Sequence, residues 1–210
     1  MTTNSASKSR EAGMQVGDGR TVDPGELAKL IGGAFLPLEP CKYLVPEPAH
    51  RLAVMTRFFE LDVRECQEGG SVDVTADHRG VALWMPRSGE PSESEDPESV
   101  EALKRATGHY LDRFIAFNEE LVSHYPTGRP FEHLMILAVD PGAQRHGLGS
   151  AMLTAHHARL DAEGIPAYLE AASLALTEFY QRHGYVRLPD PIVLPDGRQM
   201  HPMWREPQPE

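Results

Sequence analysis

The segment 134–150, LMILAVDPGAQRHGLGS, constrains the fold of this 210-residue chain more than any other. Its apolar first part, residues 134–139, ends at an Asp-Pro-Gly turn, which predicts a short strand buried on both faces. Apolar residues then recur at helical spacing until Gly164, which predicts a helix whose first turn contains Gly147 and Gly149. A strand, a glycine-rich turn and a helix should therefore follow one another here.

The predicted helix start can hold an anion. The first N–H groups of a helix have no acceptor within the helix, and the helix dipole favours negative charge at the same end. Glycine allows a ligand to approach without a Cβ in the way. Arg145, His146 and the hydroxyl of Ser150 add local donors. The spacing therefore predicts a phosphate or pyrophosphate site, although a tight strand-to-helix turn without a ligand has the same glycines.

The turn also matches a longer pattern. Val139, Pro141, Gln144, Gly147 and Gly149 fill every fixed position of V-x-P-x-x-Q-x-x-G-x-G. The segment thus resembles the acyl-CoA signature of the GNAT superfamily of N-acetyltransferases. The resemblance continues through AYLE and EFYQRHGY and covers residues 134–188 without interruption. Within the superfamily, the strings GLGSAM, GIPAYLEA and EFYQRHGY resemble segments of puromycin N-acetyltransferase.

The resemblance implies a fold and a cofactor. The fold class is α/β (mixed α+β): a single domain with a central mixed, mostly antiparallel sheet splayed between its two central parallel strands, and helices on both faces. The implied cofactor is acetyl-CoA, with the pyrophosphate at the helix start and the pantetheine arm in the gap between the splayed strands. The cofactor-binding residues so implied are Leu137, Ala138, Val139, Gln144, Arg145, His146, Gly147, Leu148, Gly149, Ser150 and Ser173.

The resemblance also implies catalytic residues. Tyr180 stands where relatives carry a tyrosine near the CoA sulfur, and a phenol can protonate a departing thiolate. Glu170 is the first candidate for the general base, and His133, eleven residues before Gln144, is the second. Each has a structural alternative: a packed core tyrosine, a capping carboxylate, or a packed or solvated histidine.

One departure from the family concerns the acceptor. Ser173 and Leu176 occupy places where relatives often carry an asparagine near the cofactor arm. Leu176 cannot form a hydrogen bond, so the resemblance does not carry puromycin over as substrate.

Composition excludes several classes of protein. The net charge of −11 argues against nonspecific nucleic-acid binding and suits a cationic partner, or only solubility. No apolar run has transmembrane length and the N-terminus lacks a signal-peptide stretch, so we expect a cytoplasmic protein without a membrane partner. Cys41 and Cys66 show no metal-ligand spacing, so both are predicted to be reduced thiols, and no metal is implied. A homodimer is compatible with the sequence.

The remaining pattern gives the order of elements. Residues 1–20 are predicted to form a disordered tail, and residues 21–206 the domain, with an insertion at about 87–130. Pro202 cannot donate to a ladder, which favours an edge or bulged position for the last strand. Helices are predicted to start at Asp23, over 48–67, from Pro97 to about 121 with a break at Gly108, from about Gly147 to Gly164, and over 174–183. Strands are predicted around 72–74, 81–85, 134–139, 167–170, 185–188 and 199–204.

The function predicted from the resemblance is acetyl-CoA-dependent transfer of an acetyl group to a primary amine of a small molecule, by direct attack in a ternary complex. The alternatives are a noncatalytic acyl-CoA sensor and a protein or peptide amine acetyltransferase. A dinucleotide-binding unit is disfavoured because Met152 replaces its third glycine, and a P-loop because no Gly-Lys-Ser/Thr follows.

Overall fold

The computed structural model describes residues 14–90 and 97–208. Short 3-10 turns at Gly108–Tyr110 and Pro141–Ala143 interrupt the longer elements. The helices are α1 (Pro24–Phe35), α2 (Glu39–Leu44), α3 (Pro48–Gly69), α4 (Pro97–Thr107), α5 (Leu111–Ser123), α6 (Leu148–Glu163) and α7 (Leu174–Gln181). The strands are β1 (Val16–Asp18), β2 (Ser71–Thr75), β3 (Gly80–Arg87), β4 (Phe131–Val139), β5 (Ala167–Ala171), β6 (Val186–Arg187), β7 (Ile192–Val193) and β8 (Gln199–Arg205).

The strands of the described residues lie in the order β1-β2-β3-β4-β5-β8-β6, and β7 pairs with β8. Only β4 and β5 run parallel; every other described pair is antiparallel. The parallel ladder contains Glu132 opposite Ala167 and His133 opposite Tyr168, and it stops there. The prediction of a single mixed domain, mostly antiparallel and splayed between two central parallel strands, is confirmed.

The sheet separates two apolar cores. Along β3, Val81 and Leu83 join one core, whereas Ala82 and Trp84 join the other, because successive side chains of a strand point to opposite faces. Helices α1, α3 and α5 cover the first face. Helices α6 and α7 cover the second. Helices therefore lie on both faces, as predicted.

Local signals set several boundaries as expected. The Asp23 carboxylate accepts a hydrogen bond from the Glu26 amide at 2.9 Å and caps α1. Gly164 ends α6 in the left-handed conformation, with φ of 69°. Gly108, with φ of 61°, separates α4 from α5 as predicted. Cys41 and Cys66 are buried free thiols.

The predicted tail of residues 1–20 needs a correction at its end. Residues 1–13 lie outside the described residues, but Val16–Asp18 form β1, which pairs with β2. The Gly19 amide also donates to the Val72 carbonyl at 2.7 Å. This short segment is ordered by its bonds to a neighbouring strand and by packing of Val16 against the second core. The boundaries 21–206 and the insertion at about 87–130 stay predictions.

The expectation that Pro202 places the last strand at an edge or at a bulge is wrong, because β8 is an interior strand whose register with β5 is continuous. β8 lies between β5 on one side and the short strands β6 and β7 on the other. On the β6 side the Leu188 amide donates to the Pro202 carbonyl at 2.8 Å. The hydrogen bond in the opposite direction, from residue 202 to the Leu188 carbonyl, is missing because proline has no N–H. One missing ladder bond is compatible with an interior strand here because the partners on that side are two short strands.

In the described part of the chain, no helix is long and apolar enough to cross a bilayer.

Candidate active site

A cavity of about 2000 Å³ lies where β4 and β5 separate. The start of α6 lines it, together with residues 133–139 of β4 and the side of α3 that carries Asp62. Residues of α5 and the loop after it also contribute, among them Phe117 and Tyr125. One continuous space therefore joins the glycine-rich turn to the centre of the sheet.

The glycine-rich turn presents free amides to this space. Arg145, with φ of 62°, and Gly147, with φ of 90°, are both left-handed, and they turn the chain from the 3-10 turn into α6. The first bond of α6 runs from the Ala151 amide to the Gly147 carbonyl at 2.9 Å. The amides of residues 148–150 precede that bond and have no acceptor within the helix. Gly147 also provides no side-chain cap for them.

Gly149 keeps the groove beside β4 open. A Cβ built on it would lie 3.4 Å from Phe179, 3.8 Å from Leu137 and 3.9 Å from Val139. All three of these residues line the cavity. A side chain at residue 149 would therefore project into the space that a ligand on the α6 amides has to cross.

The edge of β4 forms one wall of the groove. Leu137 and Val139 pair with Ala82 and Gly80 of β3 on one side. On the other side, beyond His133, the ladder to β5 has ended. Backbone groups of residues 134–139 on that side consequently face the cavity and are available to an extended ligand.

The other predicted cofactor residues differ in position. Gln144 donates from Nε2 to the Val139 carbonyl at 3.2 Å, so it braces the turn against the strand. Ser150 lines the cavity and its Oγ lies 3.0 Å from His183 Nε2. His146 and Ser173 are absent from the lining of this cavity; the His146 ring contacts the Ala143 carbonyl at 3.2 Å. The predicted residues that do line it are Leu137, Ala138, Val139, Gln144, Arg145, Gly147, Leu148, Gly149 and Ser150.

The two candidate bases form one pair. His133 Nε2 lies 2.8 Å from Glu170 Oε2, and the two side chains are 4% and 5% exposed. Glu170 follows Tyr168 by two residues on the same face of β5, which brings its carboxylate beside the histidine opposite Tyr168. His133 Nδ1 and Glu170 Oε1 are buried without a hydrogen-bond partner. From the sequence the two residues are alternative bases; their contact depends on the parallel pairing of β4 with β5.

Tyr180 lies on α7 and lines the same cavity. Its ring packs against Phe179 at 5.1 Å and Tyr185 at 5.9 Å between centroids. Burial raises the pKa of the Tyr180 phenol, so the hydroxyl keeps its proton at neutral pH. A protonated phenol at this wall can donate a hydrogen bond or a proton to a ligand atom.

Sequence reasoning missed Tyr125, whose ring lies 5.1 Å from the His133 ring. The guanidinium of Arg87 lies 5.6 Å from the Tyr125 ring centroid, and both residues line the cavity. Burial raises the pKa of Tyr125, and the charge of Glu170 adds to the effect. The cavity is also lined by three acids of α3 spaced three residues apart, whose spacing in the sequence is equally typical of a solvated helix face: Asp62, Glu65 and Glu68.

The comparisons with known proteins agree with this geometry. The sequence matches the family described as "Acetyltransferase (GNAT) domain" over residues 94–206, more than half of the chain. A crystal structure described as histone acetyltransferase HPA2 and related acetyltransferase, from Corynebacterium glutamicum, is 25% identical with a TM-score of 0.64, covering 93% of this chain and 97% of that one.

Two further solved structures share the fold. The mosquito arylalkylamine N-acetyltransferase like 5b is 15% identical with a TM-score of 0.59, over 91% of this chain and 99% of that one. The polyamine N-acetyltransferase of Drosophila melanogaster is 17% identical with a TM-score of 0.57, over 91% and 100%. From the family match, the cavity at the strand splay and the similarity to these structures, the chain belongs to the GNAT family of N-acetyltransferases.

Proposed function

We propose that this protein uses acetyl-CoA to acetylate a primary amine of a small molecule, by direct attack in a ternary complex. The observation that carries the proposal is the single cavity that contains both the free amides of α6 and the His133–Glu170 pair. An anionic donor and an amine can then meet in one space.

The residues at the cradle fit coenzyme A. The amides of residues 148–150 would hold the diphosphate, and the guanidinium groups of Arg145 and Arg182 line the cavity and add positive charge. The free edge of β4 would bind the pantetheine arm through backbone hydrogen bonds. When bound, acetyl-CoA supplies the activated acetyl group.

His133 would take the proton of the attacking amine. If the imidazole donates from Nε2 to Glu170 Oε2, its Nδ1 carries the lone pair that can accept a proton. The Glu170 carboxylate then fixes the tautomer and offsets the positive charge that the ring acquires. Glu170, the first candidate for the base from the sequence, would act instead as a positioning residue.

Tyr180 would return a proton to the sulfur of the leaving thiolate. A phenol is protonated at neutral pH, burial raises the pKa of this one further, and Tyr180 lines the cavity. The transfer forms an amide N–C bond and breaks the thioester C–S bond. The amine loses one proton and the sulfur gains one, so no further reactant is needed.

The acceptor class is supported by the site and by related structures. The cavity is large enough for a small molecule beside the cofactor arm. The solved structures with this fold include arylalkylamine and polyamine acetyltransferases. A noncatalytic acyl-CoA sensor would need the cradle but would have no use for a buried histidine–carboxylate pair.

Thiol release from acetyl-CoA, measured with a panel of primary amines, tests the proposal. We expect saturable turnover with at least one amine and a product heavier by one acetyl group. His133→Gln should remove the acidic limb of the pH–rate profile, whereas Glu170→Gln should lower kcat and retain that limb. Saturable acetyl-CoA binding without thiol release for any amine would refute the enzymatic proposal and favour the sensor.

A further inference from the structure

Helix α3 turns a row of carboxylates toward the cavity. Asp62, Glu65 and Glu68 all line it. Positions three apart lie on the same helix face, about 4.5 Å apart along the axis. Asp62, Glu65 and Glu170 all act electrostatically on Tyr125, whose ring lies against His133. The row on α3 therefore borders the same region as the proposed base.

The row is not neutralised by the protein. Within residues 14–90 and 97–208, Asp62, Glu65 and Glu68 form neither an ion pair nor a side-chain hydrogen bond. On the same helix, Glu60 pairs with Arg64 at 2.6 Å and does not line the cavity. Burial, together with the charge of Glu65, raises the pKa of Asp62 well above its ordinary value. A raised pKa keeps this carboxyl protonated unless a cation lies beside it, and no described residue forms an ion pair with it.

A second observation comes from the opposite wall. Oε1 of Glu170 is buried without a hydrogen-bond partner, on a side chain that is only 5% exposed and lines the cavity. A buried unpartnered carboxylate oxygen is costly unless a ligand donates to it. Two guanidinium groups, Arg64 and Arg87, also line this part of the cavity, and Arg64 is paired with Glu60 at 2.6 Å. Among the described lining residues, the carboxylates of α3 and Glu170 outnumber them. This end of the cavity therefore favours cations.

We propose that the acceptor is a dication: one amine reacts beside His133 and Glu170, and a second cationic group binds between Asp62 and Glu65. The inference rests on the proposed function and narrows its substrate class. The phosphate end of the cavity carries Arg145 and Arg182, so the two ends have opposite charge and select opposite ligands. A second cation would supply the hydrogen-bond donors and the charge that the carboxylates of α3 lack.

Three acceptors of equal length test the proposal: diaminopentane, aminopentanol and aminopentanoate, which differ only in the charge of the distal group. We expect kcat/KM for the diamine to exceed that for the alcohol by roughly tenfold or more, since a hydrogen bond to a charged group is worth about that factor. The aminopentanoate should be the poorest acceptor. Equal values for diamine and alcohol, or a preference for the acid, would overturn the dication proposal while leaving the N-acetyltransferase intact.

Charge-removing variants locate the second site. Asp62→Asn and the double variant Asp62→Asn/Glu65→Gln should lower kcat/KM for the diamine toward the level of the alcohol, and lower the value for the alcohol much less. Glu119→Gln removes one negative charge from an exposed position of α5 that does not line the cavity, and should change neither value. Glu65→Gln alone, at an exposed position, provides the test if the Asp62 variants do not fold. An equal loss for diamine and alcohol contradicts the assignment.

Binding separates this proposal from the catalytic one. Calorimetry with the full chain loaded with desulfo-CoA, which cannot transfer an acetyl group, measures diamine affinity directly. Tight diamine binding that Asp62→Asn/Glu65→Gln weakens, without thiol release from acetyl-CoA, would overturn the enzymatic function and keep the dication site. Diamine binding no tighter than that of the alcohol would overturn the dication site whatever the turnover.

Discussion

Acid should destabilise this protein through His157, a buried residue of α6. Its side chain lies in the second core, where Nε2 is 3.1 Å from the Tyr185 hydroxyl, and the residue is 5% exposed. Burial, followed by the charge of Arg205, lowers the pKa of His157 from 6.5 to about 3. The native state keeps the ring neutral, whereas the unfolded chain binds a proton below the ordinary pKa.

The sign and size of the change in unfolding free energy follow from this difference in pKa. A lowered pKa gives a stabilising contribution that is complete above 6.5 and is lost as pH falls toward 3. With these two values, proton binding by the unfolded chain removes about 1.4 kcal/mol at about pH 5.5, and about 3 kcal/mol at about pH 4.5. The first figure depends almost only on the unfolded value, so it is the better one to test.

Urea unfolding of the wild type and of His157→Gln, at about pH 7.5 and about pH 5.5, measures the effect. Glutamine keeps a polar amide within reach of Tyr185 but does not titrate. We expect the wild type to lose about 1.4 kcal/mol more than the variant between the two pH values. His78→Asn is the control, because His78 is exposed and asparagine tolerates its φ of 53°. Parallel pH dependence of wild type and His157→Gln would show that the reasoning is wrong.

Other predictions concern the site and the C-terminal strand. Tyr180→Phe should reduce kcat by at least about tenfold with little change in acetyl-CoA affinity, as general acids contribute at least this much; equal turnover would remove Tyr180 from the mechanism. Valine at both Gly147 and Gly149 should weaken coenzyme A binding in calorimetry, because residue 147 has φ of 90° and residue 149 faces the groove; unchanged heats would contradict the cradle. Asp161→Asn should lower the free energy of unfolding in urea by about 3 kcal/mol, because the buried Arg205 donates to both oxygens of that carboxylate at 2.7 Å. Glu163→Gln, at the exposed end of the same helix, is the control. Equal unfolding midpoints for the two variants would show that the Asp161–Arg205 pair contributes little.

The sequence predicts the strand, the turn and the helix around the cradle because their signals are local. Proline, glycine and apolar spacing within residues 134–164 are enough to place β4 and α6. The chosen boundaries differ by a few residues, as at Phe131, where β4 begins three residues earlier than the apolar run.

The contact between His133 and Glu170 could not be read from the sequence in the same way. The two residues are separated by 37 positions, and only the parallel pairing of β4 with β5 brings them together. Short elements were also missed. β1 is ordered by its neighbour, and α2 lies among Pro37, Pro40 and Pro46, a proline spacing that resembles a loop. The acids of α3 were visible, but the same spacing is typical of a solvated helix face, and only the cavity shows which way they turn.

The early end of the β4–β5 ladder leaves the middle of the sheet short of bonds. Only two residue pairs join these strands, so the sheet holds together there mainly through its outer ladders and the two cores. A pantetheine arm in the gap would act as a surrogate strand and complete the interrupted sheet. Binding of acetyl-CoA would then make the centre of the sheet more rigid. Amide hydrogen exchange at residues 134–139 should slow as acetyl-CoA is added.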